Sequence, residues 1–297
     1  MPCYHPMDAW RDRDRSVTKL RFQYHPAKCE SIEPQYQVPC GQCVGCRLER
    51  SRQWAIRCVH EAQLHDQNCF ITLTYNNENL PKDESLHVRH FQLFMKRLRK
   101  KYGKNIRFYH CGEYGENFGR PHYHALLFGF DFPDKILFKQ IRDYPIYTSK
   151  ALEGLWPYGF SSIGTVTFES AAYVARYVMK KILGEDSTMH YSAYDKESDT
   201  YYLKQPEYTT MSRRPGIGTN WLQKYQSDVY PSDQVVLRGK SMKPPKFYDA
   251  KYPQIDEIKF ARELNAEKYL DNNTPERLAV REAVHLAQIS SLKRSLT

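Results

Sequence analysis

Two histidines separated by one residue, His122-Tyr123-His124, stand in the middle of a β-prone stretch. Alternate side chains on a strand share a face, so both imidazoles point the same way and are spaced to share one metal ion. Glu113 sits just before the turn-prone Gly115-Glu116-Asn117-Phe118-Gly119 and can lie beside either histidine on a neighbouring strand. Two imidazoles and a carboxylate would leave positions open for phosphate oxygens and water. The same spacing also suits two histidines satisfied by hydrogen bonds in an ordinary hairpin. Downstream, Tyr173 and Tyr177 are four residues apart and Lys180 follows three later, which puts all three on one side of a helix. A phenol with a pKa of about 10 is a poor nucleophile. It becomes useful when a nearby cation stabilises the phenolate and a metal polarises the target. Two tyrosines on one face would allow two successive phosphoryl transfers, although in a chain with 23 Tyr such a pair is equally ordinary core packing.

A second cluster is sulfur-based. Cys40, Cys43 and Cys46 form a CxxCxxC array, and Cys3, Cys29 or Cys58, or else His5, His25 or His60, could supply a fourth ligand. Tetrahedral Zn²⁺ suits such donors and would staple an N-terminal region broken by Pro6, Pro26, Pro34 and Pro39. An iron–sulfur or redox role uses similar spacing, and free buried thiols are the plain alternative. Cys69 and Cys111 fall within strand-like runs and read as small core residues.

These groups need elements to position them. Leu48–Leu64 is helix-like, Cys69–Tyr75 strand-like, and Val88–Lys101 an amphipathic helix with Phe91, Phe94, Met95 and Leu98 at i, i+3, i+4 and i+7. Gly103 suits its C-cap. Ile106–Gly112 and Pro121–Phe130 read as an antiparallel hairpin, with Leu126, Phe128 and Phe130 continuing the histidine face and Tyr123, Ala125 and Leu127 forming the other. A short helix over Ser149–Leu155, a strand over Phe160–Val166 and a helix over Ser170–Leu183 follow. This order predicts an α+β fold, a ferredoxin-like or RRM-like antiparallel sheet with helices on one face and one appended helix. Beyond Gly184 periodicity weakens until a helical tail from Ile255, with Asn273-Thr274-Pro275-Glu276 starting its second helix.

Composition narrows the partners. The 297 residues carry 44 Lys+Arg against 34 Asp+Glu, a formal charge of +10, which suits a polyanion. Aromatics at 14% beside basic side chains suit single-stranded nucleic acid. Basic runs at Arg47, Arg50, Arg52 and Arg57, at Arg97–Lys101, at Lys180-Lys181 and at Arg213-Arg214 would make a backbone track. Binding through six phosphates would then weaken by about 10³ or more between 50 and 200 mM salt. No apolar run approaches the ~18 residues of a membrane span. Met1-Pro2-Cys3-Tyr4-His5 lacks an apolar signal region, so the eight cysteines are read in a reducing compartment, where metal binding is a better guess than disulfides.

Taken together, Thr72-Leu73-Thr74, His122-Tyr123-His124 and the Tyr-x-x-x-Tyr helix resemble the HUH endonuclease superfamily. Gly112-Glu113-Tyr114-Gly115 with Gly119-Arg120-Pro121-His122-Tyr123-His124, Tyr173–Lys180, the cysteine array and Ser212–Gly218 resemble, more narrowly, replication-initiation proteins of small single-stranded-DNA phages, the gokushovirus branch of the Microviridae. The resemblance spans residues 40 to 220. It implies that His122, His124 and Glu113 hold Mg²⁺ or Mn²⁺, with imidazole favouring Mn²⁺ and abundance Mg²⁺. It further implies that a tyrosine attacks a single-stranded origin, leaving a 3′-hydroxyl for the host polymerase and a 5′-phosphotyrosine, and that the second tyrosine completes a joining cycle. The first cut is assigned to Tyr177, with Lys180 stabilising charge; Tyr177–Lys180 also fits a one-tyrosine Tyr-x-x-Lys form. The expected partners are single-stranded viral DNA, the replicative-form origin and host polymerase or helicase, in the host bacterial cytoplasm without a membrane. The expected organisation is 1–65 as a Cys-rich segment and helix, 66–190 as the endonuclease core, 191–250 as a Tyr/Pro-rich extension and 251–297 as a helical tail. A non-catalytic single-strand binder with an RRM-like sheet and a zinc site is the competing reading; it has no need of both the tyrosine pair and His-x-His.

Overall fold

The computed structural model describes residues 3–115, 119–141, 143–176, 186–195 and 199–291. The chain divides into two compact units, one made of residues 1–50 and 254–297, the other of 51–253. In the first, β1 (Met7–Ala9) pairs antiparallel with β2 (Tyr36–Val38), Met7 opposite Val38. After β1, in Arg11-Asp12-Arg13-Asp14-Arg15, Asp12 is buried and forms an ion pair with Arg21. Helix α1 (Val44–Ala62) begins within the cysteine array and runs into the second unit.

The second unit is organised around one antiparallel sheet. Its strands are β3 (Asn68–Tyr75), β4 (Arg107–Tyr114), β5 (Pro121–Phe128), β6 (Ile136–Ile141), β7 (Tyr144–Thr148), β8 (Gly159–Gly164) and an edge strand from further on, β11 (Tyr208–Met211). Helix α2 (Val88–Tyr102) joins β3 to β4, and α3 (Lys150–Leu155) precedes β8. Spatially the order is β11-β4-β5-β3-β8-β7-β6. Helix α4 (Phe168–Arg176) follows β8. The remaining elements are α5 (Asp186–Tyr191), the hairpin of β9 (Ser192–Asp195) and β10 (Thr200–Leu203), α6 (Thr219–Lys224), the hairpin of β12 (Val235–Leu237) and β13 (Lys240–Met242), and α7 (Lys246–Asp249). The first unit also holds α8 (Ile255–Glu267) and α9 (Pro275–Ser291).

Strand alternation splits the interior in two. Ile71, Leu73, Tyr123, Ala125 and Leu127 face a core built with Phe91, Phe94, Met95 and Leu98 of α2 and Leu152 and Leu155 of α3. The i, i+3, i+4, i+7 spacing on α2 places these four along one stripe. Gly103 ends that helix at φ +106°, its N–H donating to Arg99 O. Ser149 caps α3 by accepting from the Leu152 N–H. The opposite face buries Tyr109, Cys111, Leu126 and Phe128 under Ala55 and Cys58 of α1 and Ala171, Val174 and Ala175 of α4.

Two expectations are corrected here. Helices cover both faces rather than one, because the histidine face carries Leu126 and Phe128 and these need a cover of their own, which α1 and α4 supply. Phe130 leaves the histidine face and joins the first core, because β5 ends at Phe128 and Gly129 turns the chain at φ +76°. The strand over 159–164, the helix over 150–155 and the tail helices lie where periodicity and caps predict them.

Candidate active site

The site grows from three adjacent central strands. In the β4–β5 pairing Glu113 stands opposite His122 and Cys111 opposite His124; in the β3–β5 pairing Thr74 stands opposite His122 and Thr72 opposite His124. Directly opposed residues of antiparallel strands project to the same face. Glu113, His122 and His124 therefore converge, and one ligand atom from each lies within 4.8 Å of the others. Both Nε2 atoms reach the same carboxylate oxygen, Glu113 Oε1, at 2.5 Å from His122 and 2.9 Å from His124.

The far side of each ring is fixed by a second partner. His122 Nδ1 lies 3.0 Å from the Arg120 carbonyl oxygen, and His124 Nδ1 lies 2.9 Å from Thr72 Oγ1. Phe70 stacks on the His124 ring at 5.5 Å between centroids. For His122 both contacts are acceptors, a carbonyl and a carboxylate. A neutral imidazole has one N–H and leaves one of them without a proton. An imidazolium satisfies both, and so does a neutral ring whose Nε2 lone pair meets a cation. Glu113 points to the same need. Its carboxyl is buried and its second oxygen, Oε2, has no hydrogen-bond partner among the described residues. Burial pushes the Glu113 pKa up, but hydrogen bonds from both histidines and their charges outweigh it, holding the group below the ordinary carboxylate value. A buried anion with a free oxygen, beside two imidazoles oriented by their outer nitrogens, is a donor set that fits a divalent cation with open positions.

Tyr173 enters from α4. Its ring stands perpendicular to that of His124 at 5.1 Å and edge-on to Phe70 at 6.4 Å. Tyr177 and Lys180 lie outside the described residues. Of the basic positions, Arg57 does not serve a DNA track: its guanidinium is sandwiched between Trp54 and Phe247 at 3.9 and 3.7 Å and donates to Ile217 O. Thr72 and the Arg120 carbonyl, which orient the two rings, were not singled out by chemistry-based reading. Their signal was positional, since Thr72 alternates with Thr74 opposite the histidines. His110 is also buried in β4, three residues from Glu113 and hence on the other face, stacked on Phe91 at 3.4 Å. Burial first and the His124 charge second drive its pKa well down, so it is a neutral core residue and no ligand.

The first unit holds the other cluster. The sulfurs of Cys3, Cys40, Cys43 and Cys46 all lie within 4.8 Å of one another. Backbone amides surround them: Cys40 N–H donates to Cys3 Sγ at 3.3 Å, Cys43 N–H to Cys40 Sγ at 3.3 Å, and the Tyr4 and Cys46 amides to Cys43 Sγ at 3.4 and 3.5 Å. Although burial raises the Cys43 pKa, the Tyr4 and Cys46 amides, with hydrogen bonds from the Cys46 and Cys40 thiols, outweigh it and bring it down to about 7. Among the open choices for a fourth donor, Cys3 is the one brought to the array. Cys58 is buried in the second unit's core, and His60 there bonds Tyr248 Oη at 2.9 Å. Cys69 and Cys111 are buried among core side chains.

The replication-associated protein ORF2/G2P family model matches residues 68–182, from β3 past α4. The replication-associated protein VP4 of Bdellovibrio phage phiMH2K is 31% identical in an alignment that covers 100% of this chain and 87% of that protein. The replication-associated protein ORF2 of Spiroplasma virus 4 is 33% identical over 78% of this chain and 75% of its own length. The replication-associated protein ORF4 of Chlamydia phage 1 is 30% identical over 76% of this chain and 55% of its own. No solved structure matches the chain.

Proposed function

Because the chain belongs to the family of phage replication-associated proteins, we propose that it starts rolling-circle replication by nicking a single-stranded DNA origin and later rejoining the product. The observation that carries this reading is the convergence of Glu113, His122 and His124 on one point, with the Tyr173 ring against His124. The strand order β8-β3-β5-β4, with α2 and α3 on one face, supports the ferredoxin-like HUH endonuclease fold as its framework.

His122 Nε2, His124 Nε2 and a Glu113 oxygen would hold Mg²⁺ or Mn²⁺. Such an ion supplies charge stabilisation at the scissile phosphate. The chain's own groups do the rest. Thr72 and the Arg120 carbonyl keep the two rings turned toward Glu113. Tyr173 or Tyr177 attacks phosphorus through its phenolate oxygen, forming a Tyr–O–P bond as the P–O3′ bond breaks, and the departing oxygen takes up a proton to become a 3′-hydroxyl. Attack by a 3′-hydroxyl on the phosphotyrosine reverses these changes and closes the strand, so no nucleotide cofactor is consumed. Lys180 is assigned to phenolate or phosphate charge. In the first unit, Cys3, Cys40, Cys43 and Cys46 would hold a structural Zn²⁺, a reading supported by four sulfurs in mutual reach and the amides that stabilise thiolate.

The test incubates the full chain with a labelled single-stranded circle of its own genome and Mn²⁺, Mg²⁺ or chelator, followed by denaturing gels before and after protease. A metal-dependent cut with label on the protein, mapped by mass spectrometry to Tyr173 or Tyr177, is expected. DNA that is retarded but uncut with every metal would overturn the enzyme in favour of a binding module.

A further inference from the structure

One row of side chains crosses four neighbouring strands of the candidate site's face. Glu113 on β4 stands opposite His122 on β5, His122 opposite Thr74 on β3, and Thr74 opposite Phe160 on β8. Phe160 is thus two strand spacings, about 10 Å, from His122, and it projects to the same face. Yet it is 69% exposed, whereas the second core, with Phe70 and Tyr173 among the partly buried residues packed against it, does not include it. An isolated exposed apolar residue is commonplace. This one stands in the row that contains the two ligand positions, and its place is fixed by backbone. Gly159, just before it, has φ +150°, and a Cβ there would meet Asn76 N at 2.2 Å and Thr74 O at 2.6 Å. Only glycine lets β8 begin this close to the end of β3. The side chain is therefore a wet aromatic face at a fixed backbone position on a chain of net charge +10.

We propose that Phe160 is a stacking platform for one base of single-stranded DNA that runs over the β3–β8 side of the sheet to the Glu113, His122 and His124 cluster. This rests on the reading that the cluster acts on single-stranded DNA. Stacking is tolerant of sequence because every base has a π-face, while the phosphates carry the negative charge that a chain of net charge +10 attracts. Phe160 is a positioning residue: it holds the strand next to the site and touches no reacting atom.

The test measures binding of the full chain, in chelator, to a fluorescein-labelled 12-nucleotide oligothymidylate and to a 12-unit abasic strand of the same charge. Phe160→Ala and Phe160→Leu should weaken oligothymidylate binding roughly 5- to 150-fold, the equivalent of one stack, with Phe160→Trp near wild type. The abasic strand should bind all four proteins alike. Wild-type affinity for oligothymidylate in Phe160→Ala, or an equal loss on the abasic strand, would overturn the platform and leave the nickase reading intact. Failure of the wild-type chain to bind either strand would overturn both.

Discussion

The two ligand clusters of this molecule are built by opposite strategies. Glu113, His122 and His124 come from adjacent central strands, with every ring position fixed by sheet register, and they offer three mixed nitrogen and oxygen donors. Cys3, Cys40, Cys43 and Cys46 come from a turn-rich segment and the start of a helix, with four sulfurs wrapped in amide N–H groups. Three donors leave room for substrate; four complete a tetrahedron. The first cluster is laid on a frame that is already stable, so losing it should cost rate. The second holds a region with little core of its own, so losing it should cost structure.

The largest expected effect tests the first half of that contrast. Replacing both Tyr173 and Tyr177 by Phe should leave no covalent protein–DNA adduct on a denaturing gel, since no other phenol is assigned to attack; an adduct at wild-type level would break the mechanism at its centre. Next, His122→Ala, which removes a proposed ligand, should lower nicking by more than the roughly 10–100-fold that loss of an outer partner costs, while its urea midpoint stays near wild type. Cys43→Ser should do the reverse, losing bound zinc by metal analysis and exposing residues 1–50 to protease. If the two variants exchanged phenotypes, the assignment of roles would be inverted. Thr72→Val, which removes the partner of His124 Nδ1, should reduce metal affinity by about 10–100-fold, read by Mn²⁺ titration.

The last effect concerns pH. Burial lowers the His60 pKa from the ordinary 6.5 to about 3. The unfolded chain therefore takes up a proton that the folded state refuses, and this contribution to stability is full above about pH 6.5 and is lost as pH falls toward 3. Urea midpoints followed by tryptophan fluorescence should drop between pH 7 and 4.5, and His60→Gln should shrink that drop. An unchanged drop would show that other groups control it.

The site was legible because strand alternation translates spacing directly into facing. His122 and His124 on one side with Tyr123 and Ala125 on the other, and Glu113 within reach, all follow from a period of two. The α2 stripe was legible for the same reason at a period of 3.6. What escaped the sequence did so for identifiable causes. The β6–β7 hairpin carries Ile136, Leu137 and Phe138 all exposed, with a register shift between Leu137 and Lys139, so no alternation marks it. Strand β11 is four residues long and recognisable only through its pairing with β4. Cys3 could not be chosen over five rivals, because a ligand 37 residues from Cys40 has no spacing rule. Phe160 reads as one more apolar residue in a strand until register puts it in a row with His122.

The first unit draws its residues from both sides of the second: Tyr4 Oη meets His285 Nδ1 at 2.8 Å and His5 Nε2 meets Glu282 at 2.6 Å, beside Cys3. During synthesis, then, residues 3–46 leave the ribosome long before their helical partners exist. At roughly 5–20 residues per second, the intervening segment takes about 10–40 s to translate. By the end of that interval the sheet of residues 51–253 has all its strands available, while four thiols still wait without α9 beside them. The order in which the ribosome delivers the chain thus makes the sheet the first part able to fold, with the cysteine-bearing unit able to complete itself only once α9 has been made.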